Sequence, residues 1–296
     1  MAEETRVRRP GDRKEGRRVR SLEAFNYFIP YIMPTRNDAC NQFAGTVEIT
    51  DVDKWLRQQR INGYKGMGML HLFIAAYVRV CSQYPAINRF IEGRRIYSRD
   101  DNIKVSMTVK RELTIEGAET TIKVNFSPTD TVYDVYEKMN AAIDEIKAND
   151  GPNNTESVAG VLCSLPRFLL RFAVFIIRIL DYMDWLPRFL INASPFHASM
   201  FITDMGSLGI PPIYHHLYNF GNIPVFISFG RKYKKAEIDA KAKTVVEKKY
   251  IDFKVVCDER TCDGMTYATA FRYVDHYLTH PEVLAVPPEK VMEDVR

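Results

Sequence analysis

The residues best placed to do chemistry stand together in the stretch CDERTCDG, residues 257–264. An alternating apolar run from Ile251 precedes it, which predicts a buried strand that ends at the carboxylates Asp258 and Glu259. A carboxylate in apolar surroundings has a raised pKa and can take a proton from a hydroxyl, an amine or a thiol. Glu259 is therefore a candidate general base. An ion pair between Glu259 and the adjacent Arg260, or another basic group, is the structural alternative.

Thiols and imidazoles are the other candidate reactive groups. Cys257 and Cys262 flank Glu259 and can in principle carry an acyl group, although a buried structural role is commoner for such cysteines. His215 and His216 lie in a Gly/Pro-rich loop and are interpreted as structural or interfacial, with catalysis as the second possibility. The five cysteines form no CxxC pair and no metal-ligand spacing with histidine, so we expect no metal site.

The composition is that of a globular protein, with 296 residues, 46% hydrophobic residues and a net charge of +4. Much of the positive charge lies in residues 1–20, where RVRRPGDRKEGRRVR carries only the acids Asp12 and Glu15. We interpret this segment as a solvated basic arm, with polyanion binding as the alternative. Aromatic residues do not interleave with the charges, so we expect no nucleic-acid partner.

Hydrophobic periodicity along residues 21–296 indicates that strands and helices mix, and the length allows one large domain or two small ones. GMGMLHLFIAAYVRVCSQY reads as a buried helix closed by Pro85, and TVYDVYEKMNAAIDEIKAND as a charged amphipathic helix. Alternating segments such as NQFAGTVEIT and ETTIKVNF read as strands. The fold class predicted is α/β (α+β), a two-layer sandwich with a mixed central sheet. The N-terminus lacks the apolar core of a secretory signal and the cysteines fit a reducing compartment, so a cytoplasmic location is expected.

An apolar helical insertion is predicted over residues 158–192. Arg167, Arg171, Arg178 and Asp181 recur in it at helical spacing, which argues against a membrane span. Three interpretations remain. The segment packs on the core or on a neighbouring subunit, lies on a membrane surface through residues 161–190, or lines an apolar channel.

The C-terminal stretch resembles the signature of the chloramphenicol acetyltransferase-like superfamily. DERTCDG is similar to the DHRxxDG motif of the catalytic domain of 2-oxo-acid dehydrogenase acyltransferases and to HHxxxDG of the chloramphenicol acetyltransferases. FITDMGSLGI, YPAINRFI and FAGTVEITDVDKWL resemble further segments of that catalytic domain, so the resemblance spans the chain from about residue 20 onward. It implies a single acyltransferase-like catalytic domain over residues 21–296. No lipoyl or subunit-binding domain precedes the motifs, and a stand-alone member is expected.

The resemblance implies a site and its chemistry. In such enzymes a histidine deprotonates an acceptor that attacks a thioester, and a hydroxyl of the neighbouring subunit stabilises the oxyanion. Glu259 stands at the histidine position, and Thr203 stands at the oxyanion position. Asp263 matches the motif's structural aspartate, and Arg36 is its expected buried ion-pair partner.

The resemblance also implies partners and alternatives. We expect a homotrimer that transfers an acyl group from a coenzyme A thioester, or another thioester, to a small-molecule acceptor. The replacement of histidine by Glu259 leaves a second hypothesis open, a catalytically inactive relative with a binding or assembly role. A third hypothesis is a peripheral membrane protein that uses the apolar insertion.

Overall fold

The computed structural model describes residues 9–110, 119–148, 154–239 and 243–295. The described residues form nine strands: β1 Arg17–Arg18, β2 Cys40–Glu48, β3 Arg89–Glu92, β4 Arg95–Ser98, β5 Ile103–Lys110, β6 Glu119–Phe126, β7 Met200–Asp204, β8 Val225–Asp239 and β9 Thr244–Asp258. They also form eight helices: α1 Ala24–Ile32, α2 Thr50–Ile61, α3 Met69–Gln83, α4 Val132–Ala148, α5 Asn154–Cys163, α6 Arg167–Tyr182, α7 Arg188–Ala193 and α8 Gly264–Thr279.

Six of the strands form the central sheet, in the order β2-β9-β8-β7-β5-β6. β7 runs parallel to both β5 and β8, and the other neighbours are antiparallel. The sheet is therefore mixed. Helices cover one of its faces, so the predicted α/β (α+β) two-layer sandwich is confirmed.

The main core lies between this sheet and the helical layer. Helix α3 buries most of its side chains, because its sequence is apolar on every side and it lies between the sheet and helices α4 and α8. Phe73 of α3 stacks on Phe229 of β8 with ring centroids 4.7 Å apart. Arg79, also in α3, is buried and donates to the carbonyl of Val283 at 3.1 Å. The core thus fixes α3 against the strands that carry the candidate site.

The opposite face of the sheet is covered by the chain between β7 and β8. Phe201 and Phe226 point to this face, and Leu217 from the covering segment packs against them. His215 belongs to the same segment. This smaller apolar cluster brings the loop histidines onto the strands that end at the candidate site.

The basic segment is part of the fold over its described residues. β1 pairs with β4, and β4 with β3, in a second, three-stranded sheet. Glu15 is buried, with its carboxylate 2.7 Å from Lys104 Nζ and 3.4 Å from Arg99 Nη1. The expectation of a solvated arm is therefore wrong for residues 13–17, because Arg13, Lys14 and Arg17 also have partners distant in sequence. Arg9 and Arg20 are exposed, as expected of such an arm. Residues 1–8 of the arm lie outside the described residues.

The apolar insertion forms helices α5, α6 and α7. Its end is fastened to the body: Arg13 donates to the carbonyl of Tyr182 at 2.6 Å, and Lys123 Nζ donates to the carbonyl of Ser194 at 2.7 Å. In the part of the chain that the structure describes, no helix has the length and apolar character needed to cross a membrane. The outer surface of α6 is exposed and apolar.

Candidate active site

Strand β9 delivers the motif, and Asp258 at its end is the buried carboxylate of the site. Its Oδ1 accepts from Arg260 Nε at 2.7 Å and its Oδ2 accepts from Arg260 Nη2 at 2.6 Å. Arg36 Nε lies 3.8 Å from the same Oδ2, and the Arg36 guanidinium also donates to the carbonyl of Ile91 at 2.7 Å. Arg36 is thus buried as predicted, but the carboxylate that it faces is Asp258.

Asp263 has a different role from the one predicted. It is exposed and caps the N-terminus of α8, where its carboxylate accepts from the backbone N–H and the hydroxyl of Thr266, both at 2.9 Å. The backbone hydrogen bond from Thr266 is the main cause that lowers the pKa of the Asp263 carboxyl. The prediction of a buried Asp263–Arg36 ion pair is wrong. The reason is that the aspartate before Gly264 sits at a helix start, where its side chain satisfies free backbone N–H groups.

Glu259 is half-buried and stands just after the strand. Its backbone N–H donates to the carbonyl of Ala39 at 2.9 Å, which fixes the position of the residue. Its carboxylate has no hydrogen-bond or ion-pair partner among the described residues. The alternative of an ion pair between Glu259 and Arg260 is not formed, because Asp258 occupies the Arg260 guanidinium. The Glu259 carboxylate is left available for another group.

The two thiols beside the motif are held protonated. Burial raises the pKa of Cys257 well above its ordinary value, and burial raises the pKa of Cys262 to about 12. A thiol in this state is a poor nucleophile at neutral pH because the thiolate is the reactive form. The structural interpretation of both cysteines therefore fits their surroundings better than an acyl-carrying one.

Thr203 lies in β7, and its hydroxyl oxygen is 3.1 Å from Nε2 of His215. The His215 ring stacks on Phe226 with centroids 4.2 Å apart and planes inclined by 11°. Burial, with a smaller contribution from His216, lowers the pKa of His215. His215 is therefore neutral at pH 7, and its imidazole orients the Thr203 hydroxyl. The sequence placed the histidine in a loop beside the strand, but only the covering of the sheet face by that loop brings the two side chains together.

Thr203 and Glu259 are not brought together within one chain. In the sheet, Thr203 of β7 is level with Ser228 of β8, and Ser228 is level with Lys254 of β9, whereas Glu259 lies beyond the end of β9. At about 3.3 Å per residue and about 4.8 Å per strand, Thr203 and Glu259 are separated by on the order of 20 Å. A site that uses both side chains must therefore combine two chains, as the resemblance implies.

A second buried polar cluster joins the insertion to the body and has no counterpart in the sequence prediction. His197 lies 2.8 Å from Asp181 through Nε2 and 2.8 Å from the hydroxyl of Ser194 through Nδ1. Glu92, Asp181 and His197 each place a potential metal-ligand atom within 4.8 Å of the others. Arg13 Nη1 is 3.5 Å from Glu92, so a guanidinium already supplies positive charge there. The contacts describe a structural network that ties the end of α6 to the start of β7.

Comparisons with known proteins give the fold a precedent. A probable dihydrolipoamide acetyltransferase from Listeria monocytogenes superposes with a TM-score of 0.54 at 10% identity, covering 93% of this chain and 97% of that chain. A truncated catalytic core of the 2-oxoacid dehydrogenase multienzyme complex from Thermoplasma acidophilum gives 0.52 at 13% identity, with coverages of 89% and 98%. Dihydrolipoamide acetyltransferase from Azotobacter vinelandii gives 0.51 at 12% identity, with 88% of each chain covered. No protein-family profile and no curated protein matches the sequence. The chain thus has the fold of these acyltransferase catalytic cores.

Proposed function

We propose that this protein is an acyltransferase, which moves an acyl group from a coenzyme A thioester to a small-molecule acceptor. The observation that carries the proposal is the hydroxyl of Thr203, held 3.1 Å from the neutral imidazole of His215. It stands where the resembling family has its oxyanion hydroxyl. The shared fold supports the proposal of acyl transfer. One protein with this fold, the dihydrolipoamide acetyltransferase of Azotobacter vinelandii, is an enzyme in which the catalytic roles of a serine, a histidine and an asparagine were investigated.

Thr203 supplies the oxyanion contact in this scheme. When His215 donates its Nε2–H to the Thr203 oxygen, the hydroxyl proton of Thr203 is free to point at the thioester carbonyl. Negative charge grows on that carbonyl oxygen as the acceptor attacks, and a donor already in place stabilises it. The stacking of His215 on Phe226 keeps the ring in the orientation that this requires.

Glu259 is the general base in this scheme. The acceptor hydroxyl, amine or thiol loses its proton to the Glu259 carboxylate as it attacks the thioester carbonyl. The tetrahedral intermediate then expels the coenzyme A sulfur, which takes the proton from Glu259. The bond from carbonyl to sulfur breaks and the bond from carbonyl to acceptor forms, so the carboxylate is regenerated.

The site lies between subunits of a homotrimer in this proposal. The separation of Thr203 and Glu259 within one chain supports it, since neither side chain can reach a substrate held by the other in the same chain. A cyclic trimer brings one surface patch of each chain against a different patch of the next, which gives three equivalent sites. Sedimentation equilibrium tests the assembly, and a monomer at micromolar concentration contradicts it.

Release of free coenzyme A thiol from a panel of acyl thioesters tests the activity. We expect turnover in the presence of acceptor amines, alcohols or thiols. Thr203→Ala should lower kcat by about 10²–10³, the range for removal of one oxyanion donor. Glu259→Gln should abolish transfer, and Glu259→His should retain or raise it because imidazole titrates nearer neutral pH. Glu289→Gln, at an exposed carboxylate, is the matched control. Transfer that survives Glu259→Gln contradicts the carboxylate base.

Complementation between impaired variants tests the shared site directly. Co-expressed Thr203→Ala and Glu259→Gln chains form mixed trimers in which some sites pair an intact Glu259 with an intact Thr203 of the neighbour. We expect the mixture to be more active than either variant alone, since Glu259→Gln abolishes transfer and Thr203→Ala lowers kcat by about 10²–10³. If both side chains act within one chain, the mixed trimers are no more active than the Thr203→Ala protein.

A non-catalytic relative is the second candidate, and the replacement of the motif histidine by Glu259 is the observation that favours it. Such a protein retains the fold and binds coenzyme A or an acyl thioester without turnover. Calorimetric binding of coenzyme A by a protein that releases no thiol from any thioester is the result that selects this candidate.

A further inference from the structure

Helix α6 presents an apolar surface to the outside of the molecule. One stripe of the helix is half-buried against the protein, at Leu170, Ala173, Ile177 and Leu180. Successive residues of an α-helix are rotated by 100°, so other residues of α6 form a neighbouring face. Its large side chains are exposed. They are Phe168 at 71%, Phe172 at 62%, Phe175 at 57%, Ile176 at 37% and Ile179 at 41%. Contiguous apolar exposure of this kind marks an interaction site.

Arginines border the exposed apolar face along one edge. Arg167, Arg171 and Arg178 are exposed, and their guanidinium groups make no hydrogen bond or ion pair with the residues that the structure describes. Asp181, the acid of the same helix, is buried and faces inward, where it contacts His197 and the backbone N–H of Gly221. The edge is therefore cationic without internal compensation. The five exposed apolar side chains and these three arginines together form the α6 surface.

We propose that the α6 surface docks on an anionic lipid bilayer, with the helix lying in the plane of the headgroups. The 16 residues of α6 span about 24 Å along that plane, and they are too few and too charged to cross it. Apolar side chains of such a helix enter the boundary of the acyl chains, while guanidinium groups bind lipid phosphates through paired N–H donors. This inference rests on α6 alone and is independent of acyl transfer.

The charge pattern favours a bilayer over a second copy of the chain. Contact between two copies of the chain through the α6 surface would bring the same arginines together with no acidic side chain in that surface to pair with them, and like charges facing each other across an interface are unfavourable. The α6 surface has three unpaired arginines in a row, at residues 167, 171 and 178, which match a surface of phosphates. The helix is also anchored at its end, because Arg13 donates to the carbonyls of Asp181 and Tyr182 at 3.2 and 2.6 Å. Docking would therefore orient the whole domain on the bilayer.

Vesicle co-sedimentation of the full chain tests the proposal. We expect binding to phosphatidylcholine vesicles that contain phosphatidylglycerol, weaker binding to phosphatidylcholine alone, and a further loss at high salt. The double variant Arg171→Glu, Arg178→Glu should bind anionic vesicles at least about tenfold more weakly, since each basic residue near such a surface contributes about 1 kcal/mol to binding. Arg57→Glu, Arg272→Glu is the control with the same charge change at exposed sites on α2 and α8.

A second pair of variants tests the contribution of the apolar side chains to vesicle binding. Phe172→Glu should weaken vesicle binding at least about tenfold, because burial of one Phe side chain is worth more than a factor of ten. Ile61→Glu, at an isoleucine that is 72% exposed at the end of α2, should leave binding unchanged. In a Trp55→Phe background, Trp185 alone reports on the segment, and we expect its fluorescence to shift to the blue with anionic vesicles.

Two results overturn the proposal. One is the absence of sedimentation with anionic vesicles for a folded wild-type protein. The other is a change of oligomeric state in the charge or Phe172 variants without any vesicle binding by the wild type, measured by light scattering after size exclusion. That second result assigns the α6 surface to contact between copies of this chain.

Discussion

Asp258 and Asp263 are separated by four residues, and their surroundings predict very different contributions to the free energy of unfolding. Asp258→Asn removes the charge from a carboxylate that is 0% exposed and faces the guanidinium groups of Arg260 and Arg36. The asparagine oxygen can keep the bond from Arg260 Nε, but the 2.6 Å bond from Arg260 Nη2 to Oδ2 is lost. Breaking a buried ion pair on one side costs about 3–5 kcal/mol, because the remaining charges stay buried without compensation.

Asp263→Ala removes a helix cap on the surface. The capping bond to Thr266 at 2.9 Å is worth about 1 kcal/mol, within a range of roughly 0.5–2 kcal/mol. The two variants should therefore differ by about 2 kcal/mol or more in the free energy of unfolding. Urea denaturation followed by circular dichroism measures both, with Glu289→Gln as an exposed control. An Asp263→Ala variant that loses as much stability as Asp258→Asn refutes the assignment of the two aspartates.

Two further predictions concern groups away from the motif. Burial acts to raise the pKa of Glu15, but Arg99 and Lys104 outweigh it and hold that pKa well below its ordinary value. A depressed carboxyl pKa stabilises the fold above the pKa of the unfolded chain, about 4.3, and this contribution is lost as the pH falls. Glu15→Gln should therefore cost about 3–5 kcal/mol at pH 7 and progressively less below pH ~4, whereas exposed Glu23→Gln should be neutral. In thiol titration with Ellman's reagent, the exposed Cys163 should react first, and Cys163→Ser should remove that phase. Cys81, Cys257 and Cys262 should react only after unfolding, because burial raises their pKa values.

Elements with strong local patterns could be predicted from the sequence, and their contacts show why. Helix α3 is mostly apolar because nearly all of its side chains are buried. The side chains of β9 alternate in polarity along much of the strand because its two faces meet different layers. The apolar insertion could be located but not oriented. Its exposed outer face depends on which stripe of α6 meets the body, and the sequence of α6 is apolar enough to satisfy several choices.

The partners of charged residues could not be predicted in the same way. The motif offers Asp258 and Asp263 within a few residues of Arg260, and residue types alone do not show which carboxylate the strand turns inward. Asp258 is directed inward because it is the last residue of β9, paired with Cys40 of β2. Asp263 is directed outward because it starts α8. The resemblance thus paired Arg36 with the wrong aspartate.

The ion-pair partners of the basic segment could not be predicted either, because they lie far away in the sequence. Eight basic residues between positions 6 and 20 look solvated in isolation. Glu15 nevertheless forms ion pairs with Arg99 and Lys104, more than 80 residues away, because the pairing of β1 with β4 brings Glu15 close to the end of β4 and the start of β5. Burial of such a network requires all its members at once, so no single local segment of the chain carries a sign of it.

In the proposed mechanism, the use of Glu259 as base where the resembling family uses a histidine changes the charge of the transition state, and this gives the Thr203–His215 pair its importance. A histidine base becomes an imidazolium as the oxyanion forms, so it adds a positive charge that stabilises the intermediate. Glu259 becomes a neutral acid instead, and the oxyanion then depends on hydrogen-bond donors alone. In the proposed interface site the donor opposite the base is Thr203 of the neighbouring subunit, whose hydroxyl proton can point at the oxyanion when His215 donates to its oxygen. The lowered pKa of His215 does not oppose that arrangement, because a neutral imidazole with Nε2 protonated still donates. A glutamate base thus makes a well-positioned hydroxyl donor more necessary, and the imidazole beside Thr203 is suited to position it.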